Sequence, residues 1–175
     1  FYTNLQYDIQ YGVANANALN QIYNCAAVWW KQGEADYTNG TTYAAYLSAF
    51  NSLNAAYSTT ATSYSGQANT VPVITYQCTV TGSSPATVGQ AQWAASIANA
   101  NVIVACPIYM LPHLSFGNPH LTSVGYDALG GYFAVAHKRS VIDGVKFMPL
   151  APLATNPTIR QANMVQIKFQ VPALP

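Results

Sequence analysis

Two short segments carry the side chains that could do chemistry in this sequence. The first, "KQGEAD", offers an amide at Gln32, a closely approachable backbone N–H at Gly33, and carboxylates at Glu34 and Asp36. An amide and backbone N–H groups can stabilise an oxyanion, and a carboxylate can orient a histidine that acts as a general base. The second segment, "GNPHLTS", contains such a histidine, His120.

Both segments also have a purely structural interpretation. Glu34 and Asp36 could complement the N-terminus of a helix, which Asp36 or Thr38 would cap. His120 could be a solvated residue in the turn before a helix. Residue types alone leave these alternatives open.

The other histidines and the cysteines give weaker signals. His113 lies in the same predicted loop as His120, and His137 lies near a predicted helix end, where it would interact with the helix dipole. Cys25, Cys78 and Cys106 lie in or beside apolar runs, which favours small buried side chains. Their spacing matches no metal site, and three cysteines do not make a disulfide framework.

Three short apolar runs predict the strands that position these segments. Such runs are typical of strands buried on both faces of a parallel sheet. Helical periodicity fills the sequence between them and places Tyr43, Leu47, Phe50, Leu129 and Phe133 on faces that would pack against the sheet. The predicted strands are residues 24–30, 71–77 and 101–107, and the helices are 43–57, 87–100 and about 122–139.

An earlier Asn/Ala-rich stretch, residues 12–24, has Leu19, Ile22 and Tyr23 at helical spacing.

The composition of the sequence changes after residue 144, where it becomes Pro-rich. It then alternates apolar and polar residues over 165–171, which predicts a strand with one wet face. We therefore expect a domain at 1–143 followed by a short β extension at 144–175.

The β-α order predicts an α/β fold with an open, mostly parallel sheet and helices on both faces, a three-layer sandwich. In this architecture ligands bind outside the carboxyl ends of the strands. The "KQGEAD" segment follows the first predicted strand, and the loop with His120 follows the third. We therefore expect the His120 side chain to lie within hydrogen-bond or one-water reach of Glu34 or of an empty position for a serine nucleophile.

The composition excludes several function classes. Charged residues make up 6% of the chain, against about 25% in typical domains. The net charge of +1 without a basic stripe gives no indication of nucleic-acid binding, and no apolar run reaches the roughly 18 residues of a membrane span. A surface with few charges favours an extracellular or virion-assembled protein, in an oligomer or larger assembly.

The motifs then resemble a known family. "WWKQGEAD" is similar to the W-x-Q-G-E-x-D block of the sialate-O-acetylesterase and acetylxylan-esterase branch of the SGNH (GDSL-like) hydrolases. "HLTSVGYDALGGYFA" resembles that superfamily's last block, a His followed by L-T-x-x-G-Y-x-x-L-G. The tail resembles the β extension of phage-associated members. The resemblance implies an SGNH/flavodoxin-like sandwich and a serine esterase that deacetylates carbohydrate without a metal or other cofactor.

The resemblance implies a role for each matching residue. Gln32 would donate its side-chain amide to the oxyanion, and Gly33 would allow close backbone approach. Glu34 would support the histidine or the nucleophile, His120 would be the general base that activates a serine, and Asp36 would hold the loop together.

The sequence departs from the family pattern at two places. No G-D-S or G-Q-S-N block precedes Gln32, so the nucleophilic serine is not in this chain, and the acid expected three residues before His120 is replaced by Gly117. Glu34 is the candidate replacement for that acid. We therefore expect an N-terminally incomplete esterase domain acting on surface polysaccharide or an acetylated sugar, its sheet completed beside residues 24–30 by an upstream segment or a partner chain. The alternative is a non-catalytic glycan-binding or structural component of a phage tail, virion or extracellular assembly.

Overall fold

The structure, a computed structural model, describes residues 2–79, 87–115 and 118–149, together with the backbone of four short strands in the tail. The chain has a mixed α/β fold. Its helices are α1 (Tyr2–Ala18), α2 (Glu34–Thr38), α3 (Tyr43–Ser65), α4 (Thr87–Ala98) and α5 (Ser123–His137), with a 3-10 turn at Ile108–Met110 and one π turn at Lys138–Ile142. Its first three strands are β1 (Val28–Trp30), β2 (Val73–Gln77) and β3 (Val102–Pro107).

These three strands form one parallel sheet in the order β1-β2-β3. Val28 pairs with Val73, and Val73 pairs in turn with Val102. The prediction that the three apolar runs are adjacent parallel strands is confirmed. The strand β1 is shorter than predicted and covers three residues at the edge of the sheet.

Helices pack beside both sides of β1. The ring of Trp29 lies 5.6 Å from that of Phe133 in α5, whereas the ring of Trp30 lies 6.0 Å from that of Tyr57 in α3. Because successive side chains of a strand point to opposite faces, α5 and α3 lie on different sides of this strand.

One main core joins the sheet to α3, α4 and α5. Phe50, Leu129 and Phe133 are buried in it, as predicted, and Leu47 packs against it. The prediction for Tyr43 was wrong, since its side chain is exposed and Tyr46 is the buried tyrosine of that turn. The buried face of α3 includes Tyr46, Phe50, Asn54 and Tyr57, and it faces α4 as well as the sheet. Periodicity therefore located this helix and most of its buried face, and Tyr43 is the exception.

Only part of the stretch 12–24 is helical, and the helical spacing of Leu19, Ile22 and Tyr23 lies beyond the helix. The helix α1 ends at Ala18, Asn20 takes a left-handed φ of 53°, and the side chains of Leu19 and Ile22 are 71% and 85% exposed. A second, smaller cluster holds α1 in place through the buried Ile9, which packs with Ala61 and Val71.

The tail has β structure, and the described strands of its alternating segment belong to two different strand pairs. The backbone forms β4 (Ala151–Pro152), β5 (Ile159–Gln161), β6 (Met164–Gln166) and β7 (Phe169–Gln170). The strands β6 and β7 pair antiparallel with different partners, β5 and β4 respectively. The predicted domain boundary at 143 stays a prediction, although it follows the π turn that ends the helical region.

Candidate functional site

Both chemistry-bearing segments lie at the carboxyl edge of the sheet. The 32–36 segment follows β1, and the loop of residues 112–122, within which residues 116–117 are not described, follows β3 and leads into α5. Because the strands are parallel, their carboxyl ends share one edge, where ligands bind in such sheets. The topology therefore brings the two segments to one side of the molecule.

Gly33 is buried in a conformation that only glycine adopts easily. Its φ is 155° and its ψ is −29°, and residues with a Cβ are rarely found at such positive φ values. A Cβ at this position would lie 3.0 Å from Val88 Cγ1, 3.1 Å from Cys78 Cβ and 3.1 Å from Gln92 Nε2. The close packing of this backbone against α4 and the end of β2 therefore requires glycine.

A buried glutamine from α4 fixes the backbone of this segment. The Gln92 side chain is fully buried; its Nε2 donates to the carbonyl of Gln32 at 2.9 Å and to the hydroxyl of Tyr46 at 3.1 Å. Its Oε1 accepts from the backbone N–H of Cys78 at 2.7 Å. The Tyr46 hydroxyl lies 3.2 Å from both the backbone and the side-chain carbonyl oxygens of Gln32. One amide thus ties the ends of β1 and β2 to α3.

Sequence reasoning missed Gln92, although a signal existed. Val88, Ala91 and Ala95 form an apolar helical face, and Gln92 lies on that face at i+4 from Val88. A buried polar side chain needs hydrogen-bond partners, so a glutamine on an apolar face indicates a buried bridge.

The Asp36 carboxylate links the start of this segment to the chain that follows it. Gln32 Nε2 donates to Asp36 Oδ2, and Thr41 Oγ1 donates to Asp36 Oδ1 at 3.0 Å. Asp36 therefore holds the loop together, as the resemblance implied. The capping interpretation of Asp36 and Thr38 was wrong, because the N-cap of α3 is Thr42 and the N-cap position of α2 is Gly33.

Glu34 is held by a buried tyrosine from β2. The Tyr76 hydroxyl lies 2.6 Å and 2.5 Å from the two Glu34 carboxylate oxygens. Burial, reinforced by the negative charge of Glu34, raises the pKa of Tyr76 above its ordinary range, so the phenol stays protonated and donates. The ammonium of Lys31 lies over the Tyr76 ring, 5.5 Å from its centroid. No sequence signal distinguished Tyr76 from the other residues of its apolar run.

Cys78 and Cys106 are small buried side chains, as predicted, whereas Cys25 is half-buried. Burial raises the pKa of Cys78 to about 12, with the Glu34 charge as a further cause, and burial alone raises that of Cys106 to about 12. A thiol in this state is not the reactive thiolate. Among the described residues, no group of three or more His, Cys, Asp or Glu side chains is arranged to hold a metal ion.

His120 lies in the second segment with an exposed side chain. Its backbone N–H donates to Asn118 Oδ1 at 2.8 Å, and its carbonyl accepts from the N–H of Leu114 at 3.0 Å. Among the described residues, no hydrogen bond joins its ring to Gln32, Gly33 or Glu34. The approach of His120 to Glu34 therefore stays a prediction, and Gly117 lies outside the described residues.

The other two histidines have structural partners. The ring nitrogens of His113 lie 2.8 Å from the Asn118 carbonyl and 3.0 Å from the Ile108 carbonyl, so this ring spans the loop. The indole N–H of Trp29 donates to His137 Nδ1 at 3.4 Å. His137 thus contacts an aromatic ring of β1 in addition to its position at the helix end.

No protein-family model matches this chain, and no curated protein and no solved structure is significantly similar to it. In the described part of the chain, no helix is both long and apolar enough to span a bilayer.

Proposed function

We propose that this chain is part of an SGNH-type carbohydrate O-acetyl esterase that acts on a surface polysaccharide, with a serine nucleophile supplied from outside this chain. The proposed fold is the three-layer sandwich of that superfamily. The observation that carries the proposal is the Glu34 carboxylate, held by Tyr76 beside the buried Gly33 at the carboxyl edge of a parallel sheet.

Each matching residue has a role in this proposal. An amide nitrogen carries two N–H groups, so Gln32 can donate to Asp36 and also to an oxyanion. Gly33 brings the backbone close to the reacting carbonyl. His120 takes the serine proton, and Glu34 orients the histidine in place of the acid missing at Gly117.

In this proposal the serine nucleophile is carried by a further strand that pairs with the edge of β1. The strand β1 is at the sheet edge, and unpaired edges attract further strands. An upstream segment of the polypeptide, or a partner chain in an oligomer or larger assembly, would pair with β1 and bring a serine towards His120. The proposed location is extracellular or in a virion.

The test compares the 175-residue chain with a version extended by the polypeptide segment that precedes it. We expect the extended version to release acetate from acetylated xylan and from a chromogenic acetate ester, and the short chain to release none. In the extended version, His120→Ala should lower kcat by at least about 100-fold, whereas Lys138→Gln, a surface control, should leave it unchanged. Full activity in the His120 variant, or hydrolysis by the short chain, would contradict the proposal.

A second function is supported by a separate observation. Trp29 and Tyr126 are exposed aromatic side chains close to the carboxyl edge, and aromatic faces pack well against sugars and partner subunits. In this alternative the domain is a non-catalytic glycan-binding or structural component of a phage tail, virion or extracellular assembly. An extended version that folds and binds polysaccharide but hydrolyses no ester would support it.

A further inference from the structure

A shallow groove of about 230 Å³ runs between the edge strand β1 and the helix α5. Leu129 and Phe133 are buried and form its floor, whereas Trp29 and Tyr126 are exposed and form its walls. A Cβ on Gly130 would meet no atom within 4 Å, so this turn of α5 leaves the groove open. The volume is below the roughly 300 Å³ of the smallest typical ligand pockets, which suits one sugar ring of a longer chain.

The helical repeat explains why four residues of α5 line the same groove. Tyr126, Leu129, Gly130 and Phe133 are at i, i+3, i+4 and i+7, so they share one face. The strand contributes Trp29, whose indole is fixed by the edge-on contact with Phe133 and by the hydrogen bond to His137. The aromatic wall is therefore held in position without a ligand.

A cation lies at one end of the groove. The Lys31 ammonium is 5.2 Å from the centroid of the Tyr126 ring and 5.5 Å from that of Tyr76. Lys138 and Arg139 both pair with Asp143, and Lys146 donates to the carbonyls of Ser96 and Asn99. Lys31 is thus the one lysine or arginine with a described side chain that has no oxygen partner.

This free cation matters because the chain contains so few charges. A ligand carboxylate could pair with Lys31 without displacing an existing salt bridge, while two tyrosine rings hold the ammonium by cation–π attraction. The Glu34 carboxylate accepts a hydrogen bond from the Tyr76 hydroxyl. The salt bridges among the described residues do not include one between Glu34 and Lys31. The groove therefore combines an aromatic wall for a sugar face with a positive charge for an acid group.

We propose that this groove binds an acidic polysaccharide through one uronate-type residue, whose ring stacks on Trp29 or Tyr126 and whose carboxylate pairs with Lys31. The site lies next to the 32–36 segment, because Lys31 directly precedes it. The inference rests on the proposed carbohydrate function and deepens it, since it names the class of glycan that this edge of the sheet selects.

The test uses the full chain and a tetragalacturonate, with its fully methyl-esterified form as a matched neutral ligand, in isothermal titration calorimetry. We expect the acid form to bind at least tenfold more tightly than the ester, and added salt to weaken only the acid form. Lys31→Gln should reduce binding of the acid to the level of the ester, and Trp29→Ala should abolish binding of both. Lys138→Gln and Tyr64→Ala, which change an exposed lysine and an exposed tyrosine elsewhere, should have no effect.

Equal affinity for acid and ester, unchanged binding in Lys31→Gln, or no binding of either ligand would overturn the proposal. Lys31→Gln changes an exposed side chain, so the test does not depend on the folding of Trp29→Ala. If the chain binds no sugar but self-associates, and Trp29→Ala abolishes the association, the groove is instead a contact surface between copies of this chain. Acid-selective binding by this chain, with no ester hydrolysis by the extended version, would reject the esterase function and keep this site. Ester hydrolysis by the extended version without acid-selective binding would do the reverse.

Discussion

The two segments at the carboxyl edge of the sheet are built in different ways. The 32–36 segment is fixed by side chains from other elements, namely Tyr46, Tyr76 and Gln92. The 112–122 loop is anchored by the buried Leu121 and by hydrogen bonds of the His113 ring and the Asn118 side chain to nearby backbone, and it leaves the His120 side chain exposed. The first segment has a buried glycine and is fixed by three neighbouring elements, whereas the second is held mostly by nearby backbone and leaves its histidine exposed.

This difference separates the two halves of the proposed site. Oxyanion donors and a supporting carboxylate work best when they are fixed before the reaction, and the 32–36 segment meets that requirement. A general base must meet a nucleophile, and its hydrogen bonds often tighten only when the complex forms. The open position of His120 agrees with a base whose partner lies outside this chain.

The largest expected effect comes from Gly33→Ala, because the new Cβ would be strained at φ 155° and would contact Val88, Cys78 and Gln92. We expect the free energy of unfolding to fall by about 3 kcal/mol, measured by urea denaturation. Gly40→Ala is the matched control: its φ is also positive, at 75°, but a Cβ there meets open space, so we expect a loss of about 1 kcal/mol. Equal losses would show that packing around Gly33 contributes nothing.

Gln92→Leu should have the next largest effect. The substitution removes the acceptor of the Cys78 N–H and a donor to the Gln32 carbonyl, leaving buried polar groups unpaired. We expect a loss of about 2–3 kcal/mol in the free energy of unfolding. Gln90→Leu, on the exposed face of the same helix, should change it by less than about 0.5 kcal/mol. A Gln92 variant as stable as the Gln90 variant would reject the bridging role.

Tyr76→Phe tests the support of Glu34 through stability and pH. Loss of the hydroxyl should cost about 1–2 kcal/mol at pH 7. The pKa of Tyr76 is raised in the folded protein, so its contribution is present below its unfolded value of about 10 and is lost as the pH rises beyond it. The pKa values of Cys78 and Tyr46, about 12 in the folded protein, act in the same direction.

Urea denaturation as a function of pH measures this effect. The wild-type free energy of unfolding should fall between about pH 9 and pH 12, and the fall should be shallower in Tyr76→Phe. Tyr109→Phe, which changes an exposed tyrosine, is the control and should follow the wild type. A fall of the same steepness in the Tyr76 variant would contradict the burial of a protonated phenol.

The smallest effects come from the two histidines of the second segment. His113→Ala should cost about 1 kcal/mol, because the ring bridges the Ile108 and Asn118 carbonyls. His120→Ala should change stability by less than about 0.5 kcal/mol, since its side chain is exposed. Thermal unfolding of both variants measures the difference, and a larger loss in the His120 variant would show that the loop depends on that ring.

Much of the fold could be predicted from the sequence, and the errors share a cause. Apolar runs identified three adjacent parallel strands, and helical periodicity placed Phe50, Leu129 and Phe133 in the core. The wrong predictions concern Tyr43, Leu19 and Ile22, whose exposure depends on which neighbouring element covers each helix face. Periodicity reports that a face exists, but the tertiary packing selects its exact direction.

For the candidate site, the sequence by itself determined which residues follow the strands and therefore share one edge. The parallel direction of the strands follows from the β-α alternation along the chain, so Gln32, Gly33 and Glu34 could be placed there in advance. Only the tertiary structure decided that Tyr76 and Gln92 hold this segment and that Lys31 lies between two tyrosine rings. The Tyr76–Glu34 contact joins residues 42 positions apart in the sequence, and the Gln92–Gln32 contact joins residues 60 positions apart. Such hydrogen bonds depend on distances of a few ångströms, which the spacing of residues along the sequence does not determine.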